Sequence, residues 1–237
     1  MRFPQSLVRG RLLRRYKRFL ADVELDGGEI VTAHCANPGS MLGLQAPGIA
    51  AWLSKSDNPN RKLAWSLEIV EVDAGRGPAL VGINTGHPNR IVEEAIAAGA
   101  VAELSGYAGL RREVKYGRNS RIDILLTDDG RPDCYVEVKN VHLVREPGLA
   151  EFPDSVTARG AKHLDELSEM VRQGARAAMF YLVQRGDTER VAIARDIDPG
   201  YGEALDRARK AGVEVVAYGC EVTPSGVEIK GPLPFAG

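Results

Sequence analysis

The chain has 237 residues, 44% of them hydrophobic and 27% charged, with a formal net charge of −1. That is an ordinary globular composition with enough apolar material for one large domain or two modest ones. No apolar run approaches the roughly 18 residues of a transmembrane helix, and no apolar stretch follows the basic N-terminus as in a secretory signal, so a cytoplasmic protein with no membrane partner is expected.

Residues 1–20 carry Arg2, Arg9, Arg11, Arg14, Arg15, Lys17 and Arg18 and no acid. This local positive charge reads either as a solvated arm or as a phosphate-contacting surface. Lys17–Leu25 alternates as a strand into the turn Asp26-Gly27-Gly28, and Glu29–Cys35 reads as its hairpin partner. Asn37-Pro38-Gly39-Ser40 is a loop, followed by strand candidates at Ile49–Ser54, Lys62–Asp73 and Ala79–Ile83. About five short strands without a long helix predict a small closed barrel over residues 1–83. An OB-type barrel fits, and an SH3-like barrel fits nearly as well.

The texture changes after Asn84, and residues 84–237 read as an α/β domain with a mixed sheet. A helix is predicted over Asn89–Ala98, with Asn89 as its cap. Strands follow at Leu110–Tyr116, Arg121–Leu126 and Cys134–Val144, then a helix over Thr157–Arg172 that Thr157 or Asp154 would cap. Ala177–Val183 is an apolar strand, Tyr201–Ala211 a helix, and Val213–Tyr218 and Gly226–Lys230 are closing strands. Cys35, Cys134 and Cys220 are odd in number and widely spaced, as reduced thiols are.

The chemistry concentrates on one hairpin. On Cys134–Lys139, Glu137 and Lys139 share a face, and Asp123 stands between Ile122 and Ile124 on the preceding strand. A turn centred on Gly130 pairs residues whose numbers sum to 260, which sets Asp123 opposite Glu137. Two carboxylates side by side across a sheet repel. A divalent cation reverses that interaction, and Mg²⁺ (or Mn²⁺) takes few carboxylates and keeps several waters. The carbonyl of Val138 is a further ligand candidate. Lys139 would stand beside the metal, orienting water and offsetting charge on a phosphate. The bland alternative is a strand with one solvated, charged face.

Asp-x13-Glu-x-Lys on adjacent strands, after a helix carrying Glu93 and Glu94, resembles the PD-(D/E)XK nuclease superfamily. Ile122 stands where that pattern has its Pro. Further stretches resemble the sugar fermentation stimulation (SfsA) family: Arg14–Phe19, Ala36–Met41, Asn84-Thr85 with Asn89-Arg90, Val92–Ile96, Ser120–Asp123, Val136–Val141, and Phe152–Gly160 before Lys162-His163. The resemblance implies an N-terminal OB-like barrel, a nuclease-like C-terminal domain, and DNA binding linked to regulation of sugar (maltose) utilisation genes. It also implies that Asp123 and Glu137 bind metal, with Lys139 catalytic and Glu94 as an outer metal ligand. Arg14, Arg15, Lys17, Arg18 and Arg121 would hold the nucleic-acid backbone, with Arg159 and Lys162 at a helix N-terminus. Arg111, Arg112, Lys115 and Arg118 read as a charged strand edge or as phosphate contacts. His163 reads as an ordinary residue of a polar helix face.

Three functions stay open at this point: a metal-dependent nuclease, a non-catalytic DNA-binding regulator without a helix-turn-helix, and a sugar sensor or scaffold. No phosphate-binding glycine loop, nucleophile elbow or H-E-x-x-H is present, so NTP hydrolysis, serine-hydrolase and zinc-protease chemistry have no support.

Overall fold

The computed structural model describes residues 1–117 and 120–237. Six strands occupy the first third: β1 (Val8–Tyr16), β2 (Leu20–Leu25), β3 (Ile30–Cys35), β4 (Ala50–Lys55), β5 (Trp65–Asp73) and β6 (Pro78–Gly82). Their order is β3-β2-β1-β4-β5-β6, and β3 also pairs in parallel with β5. That second pairing closes β1–β5 into a five-stranded barrel and removes its free edges. The closure selects the OB arrangement over the SH3-like one that the strand count also allowed. Leu12, Val23, Leu53 and Leu67 fill the interior, and Met41 and Leu44 complete it.

β1 corrects the reading of the basic stretch. Residues 8–16 are no solvated arm but a central strand flanked by β2 and β4. Gly10 and Leu12 face inward while Arg9, Arg11 and Arg14 face out, so cationic side chains alternate with core positions. A Cβ at Gly10 would lie 2.5 Å from the carbonyl oxygen of Glu24, so only glycine lets the two strands approach there.

The rest of the chain gives α1 (Pro88–Ala97), β7 (Gly109–Tyr116), β8 (Ser120–Thr127), β9 (Cys134–Val141), β10 (Leu143–Glu146), β11 (Leu149–Phe152), α2 (Ala158–Arg172), β12 (Arg176–Val183), β13 (Arg190–Ile193), α3 (Pro199–Lys210), β14 (Glu214–Thr223), β15 (Gly226–Pro232) and β16 (Phe235–Ala236). A six-stranded mixed sheet runs β15-β14-β12-β9-β8-β7, with β12 parallel to both β9 and β14. Helices α2 and α3 cover one face, packing Leu164, Leu167 and Leu205 on Leu125, Met179 and Tyr181. The other face meets Ile91 and Val92 of α1 together with Trp52 and Ile69 of the barrel wall. Burial from both sides explains the continuous apolar run of β12.

The predicted strand Cys134–Val144 is broken, ending as β9 and restarting as β10. β10, β11, β13 and β16 form a small four-stranded sheet that the sequence reading did not anticipate. The turn Pro147-Gly148, with Gly148 at φ +81°, joins β10 to β11. Thr157 caps α2 by accepting the N–H of Gly160 at 3.1 Å, as expected. Asn89 does not cap α1: the cap position is His87, without a side-chain bond, and Pro88 opens the helix. All three cysteines are free and buried, and no helix among the described residues is long and apolar enough to cross a membrane.

Candidate functional site

β8 and β9 pair in the register expected from Gly130: Ile124 opposite Val136, Leu125 opposite Tyr135 and Leu126 opposite Cys134. The ladder ends just before Asp123 and Glu137. There Asp123 replaces a backbone partner: its Oδ2 accepts the N–H of Val138 at 2.7 Å, while its Oδ1 accepts Asn89 Nδ2 at 2.8 Å. The carboxylate is thus clamped between β9 and the start of α1.

Glu137 is only 3% exposed. Its Oε1 accepts Lys139 Nζ at 2.6 Å and contacts His163 Nδ1 of α2. Arg159 Nε donates to His163 Nε2 at 3.3 Å, so the ring proton sits on Nδ1 and points at Glu137. Glu137 Oε2 is buried without a hydrogen-bond partner. An unsatisfied buried carboxylate oxygen is costly and invites a ligand.

The two carboxyls titrate apart. Burial and then the charge of Glu137 push Asp123 up to about 6, against the bonds from Val138 and Asn89. Burial also opposes ionisation of Glu137, but the His163 bond and the Lys139 charge outweigh it and hold this carboxyl below its ordinary value. A cation placed between them would satisfy the orphaned oxygen and relieve the repulsion that raises Asp123. The residues therefore fit a divalent metal held by two carboxylates. Among the described residues no group of three or more His, Cys, Asp or Glu forms a cage, so the remaining positions would belong to solvent or substrate.

These groups line a cleft of about 380 Å³. Asp123, Glu137 and Lys139 form its floor, and the barrel loop Asn37–Gly39 faces them. Asn89 of α1 and Arg159 of α2, with its cap Thr157, bring helix N-termini to the lining, and His142 and Asp154 form a further part of the wall.

Not every predicted residue reaches this cleft. Glu94 does not: its carboxylate pairs with Arg90 at 2.7 Å and with the amino group of Met1 at 2.8 Å. Glu93 pairs with Arg112. The contribution of α1 is Asn89, one turn earlier. Arg121 is exposed on β8 opposite Lys115, and Lys162 lies 3.4 Å from Ser120 Oγ, both outside the cleft lining. Arg118 lies outside the described residues.

The barrel cations are largely engaged. Arg9, Arg11 and Arg14 pair with Asp26, Glu24 and Asp22, and Arg14 also lies over the ring of Tyr16. Arg15 donates to the carbonyls of Asn37 and Gly39 at 3.0 Å each, and Arg18 to that of Pro38 at 2.8 Å. These two side chains staple the loop over the cleft. Lys17 is exposed in the turn into β2, at φ +46°.

Sequence reasoning missed His163, Asn89, His142 and Asp154. His163 follows Arg159 by four residues and so shares its helix face, a signal that was present. Asn89 arrives through the packing of α1 against β8 and β9, and His142 and Asp154 meet because the chain breaks after β9 and returns through β11.

Comparison with known proteins follows the same outline. A family model described as the SfsA N-terminal OB domain matches residues 13–83, and one described as the sugar fermentation stimulation protein RE domain matches residues 86–226. A sugar fermentation stimulation protein homolog from Azorhizobium caulinodans is 59% identical over 237 residues, the whole of both chains. One from Rhodospirillum centenum is 60% identical over 229 residues, covering 97% of each. The solved structure of Pyrococcus furiosus SfsA in complex with Ca²⁺ is 26% identical, with a TM-score of 0.86, covering 100% of this chain and 98% of that one.

Proposed function

The chain belongs to the sugar fermentation stimulation protein family, and from that premise we propose that it is a DNA-acting protein with a divalent-metal-dependent, nuclease-type phosphodiester hydrolysis site. The observation that carries this reading is half-buried Asp123 next to buried Glu137, whose second oxygen is unsatisfied, beside Lys139 in the lining of a cleft. The Ca²⁺ in the Pyrococcus furiosus relative supports a hard cation at such a site. In this proposal residues 1–83 are a nucleic-acid-facing barrel and residues 84–237 carry the chemistry, in a cytoplasmic setting that the free thiols favour.

Asp123 and Glu137 would hold Mg²⁺ or Mn²⁺, which supplies Lewis acidity at the phosphate and lowers the pKa of bound water. The ammonium of Lys139, already oriented by Glu137, offsets charge that develops on the phosphoryl oxygens. His163 fixes the rotamer of Glu137, and Asn89 fixes that of Asp123. Arg159 lines the same cleft and would meet an incoming phosphate. The test is calorimetric titration of Mg²⁺ and Mn²⁺ into wild type and Asp123→Asn, with labelled single- and double-stranded DNA incubated in parallel. Binding and cleavage in wild type, both lost in the variant, is the expected outcome. Salt-sensitive DNA binding without metal binding would leave a non-catalytic regulator of sugar-utilisation genes.

A further inference from the structure

The wall of the cleft holds a polar pair that the metal chemistry does not use. His142 is 6% exposed, and its Nε2 has no hydrogen-bond partner. The tautomer is set from behind. Gln184 Nε2 donates to Asn140 Oδ1 at 2.8 Å, so the Asn140 amide nitrogen faces His142 Nδ1, at 3.3 Å. Nδ1 therefore accepts, and the ring proton sits on Nε2. Arg185 holds the same residue by its carbonyl at 2.7 Å. A relay of three side chains thus leaves the buried Nε2–H of His142, a residue lining the cleft, without a partner.

Beside it, Asp154 Oδ2 lies 3.5 Å from His142 Nε2, too far for the two to satisfy one another well. Asp154 is held toward its ionised form, against the burial that opposes its charge, by the Met41 N–H, which donates to Oδ2 at 3.0 Å, and by Ser40. Gly39 makes room for it, since a Cβ there would lie 2.7 Å from Oδ2. The wall therefore offers a fixed donor and a fixed anionic acceptor side by side.

A group that both accepts and donates is the complement of that pair, which describes a hydroxyl; a phosphate would meet the Asp154 charge and be repelled. The cleft also lies at the small end of ligand pockets, suited to one sugar-base unit. Resting on the nuclease reading, we infer that His142 and Asp154 form a subsite for a sugar hydroxyl of a nucleic-acid strand whose phosphate lies over Asp123 and Glu137. The hydroxyl is either the terminal 3′-OH of a strand or a ribose 2′-OH.

Fluorescence anisotropy of short 5′-phosphorylated strands on the full chain, with Ca²⁺ as the metal, separates these cases. The probes are a DNA strand ending in a 3′-hydroxyl, the same strand ending in a 2′,3′-dideoxynucleotide, and an RNA strand ending in a 3′-deoxynucleotide. The probe that carries the recognised hydroxyl is expected to bind roughly 10- to 100-fold more tightly than the dideoxy strand, the scale of a hydrogen bond to a charged group. Preference for the first probe assigns the terminal hydroxyl, and preference for the third assigns the 2′-OH. His142→Ala and Asp154→Asn, checked for folding by thermal melt, should abolish the preference. Equal binding of all three probes by wild type would overturn the subsite and leave the nuclease reading standing. Failure to bind any strand, together with no Ca²⁺ binding by calorimetry, would overturn both.

Discussion

Asp123 accepts the backbone N–H of Val138 at 2.7 Å, one step beyond the last paired residues of β8 and β9. A side chain thus takes over where the strand ladder stops, and it holds a carboxylate against Glu137 that the sheet alone would push apart.

That arrangement makes Asp123 a source of instability in the absence of metal. With a folded pKa of about 6 against roughly 3.9 in the unfolded chain, the folded state binds the extra proton. Its contribution is favourable below about pH 4 and lost as pH rises through about 6. Asp123→Asn should therefore stabilise the metal-free protein by roughly 1–3 kcal/mol at pH 7, with the gain vanishing near pH 4. Urea denaturation of both proteins in EDTA across that range measures it. An unchanged difference at pH 4 and 7 would refute the assignment.

Metal should invert this order. Saturating Mg²⁺ or Mn²⁺ should raise the melting temperature of wild type through mass action and leave Asp123→Asn where it was. Differential scanning fluorimetry with and without metal reads the effect, and an equal shift in both proteins would place the cation elsewhere.

His163 should act on metal affinity through Glu137. Removing an outer-shell partner typically costs ten- to a hundredfold in affinity, so His163→Ala should weaken Mn²⁺ binding by about that factor. Calorimetry on a variant with native circular dichroism decides it; unaltered affinity would make His163 a packing residue only.

Basic residues should separate by their contacts. Arg159 lines the cleft and forms no ion pair with an acid among the described residues, its Nε donating to neutral His163, so Arg159→Ala should lower the salt dependence of DNA binding by about one counterion. Arg15 is committed to the loop carbonyls, so Arg15→Ala should lower stability by roughly 1–3 kcal/mol, the cost of buried acceptors left unmet. Binding isotherms at several salt concentrations, with urea melts alongside, distinguish the two roles. A large slope change for Arg15→Ala would return it to the nucleic-acid surface.

Asp154 ties the barrel to the rest of the chain through the Met41 N–H at 3.0 Å, and its carbonyl accepts Ser40 Oγ at 2.8 Å. Because its folded pKa, about 2, lies below the unfolded value, its contribution is present above roughly pH 4 and lost as pH falls toward 2. Asp154→Ala should be less stable than wild type at pH 7, with the gap closing below pH 3. Thermal melts across that range provide the comparison, and a pH-independent gap would assign the loss to packing alone.

Much of this molecule is determined by local pattern. Alternation on β8 and β9 and the turn at Gly130 place Asp123, Glu137 and Lys139 on one face in the correct register, because side-chain direction along a strand has a period of two and a hairpin transmits it. The helices follow from their apolar stripes and the Thr157 cap. The tertiary structure alone decided which partner each polar group finds. Glu94 and Asn89 sit five residues apart on one helix, and only the packing of α1 on the sheet turns Asn89 to Asp123 and leaves Glu94 to Arg90 and Met1. Arg15, one of the most basic stretch's best phosphate candidates, is used up by carbonyls more than 20 residues away. His142 meets Asp154 only because β9 breaks and the chain returns through β11. Such contacts depend on long-range closure of the chain, which no short-range periodicity encodes.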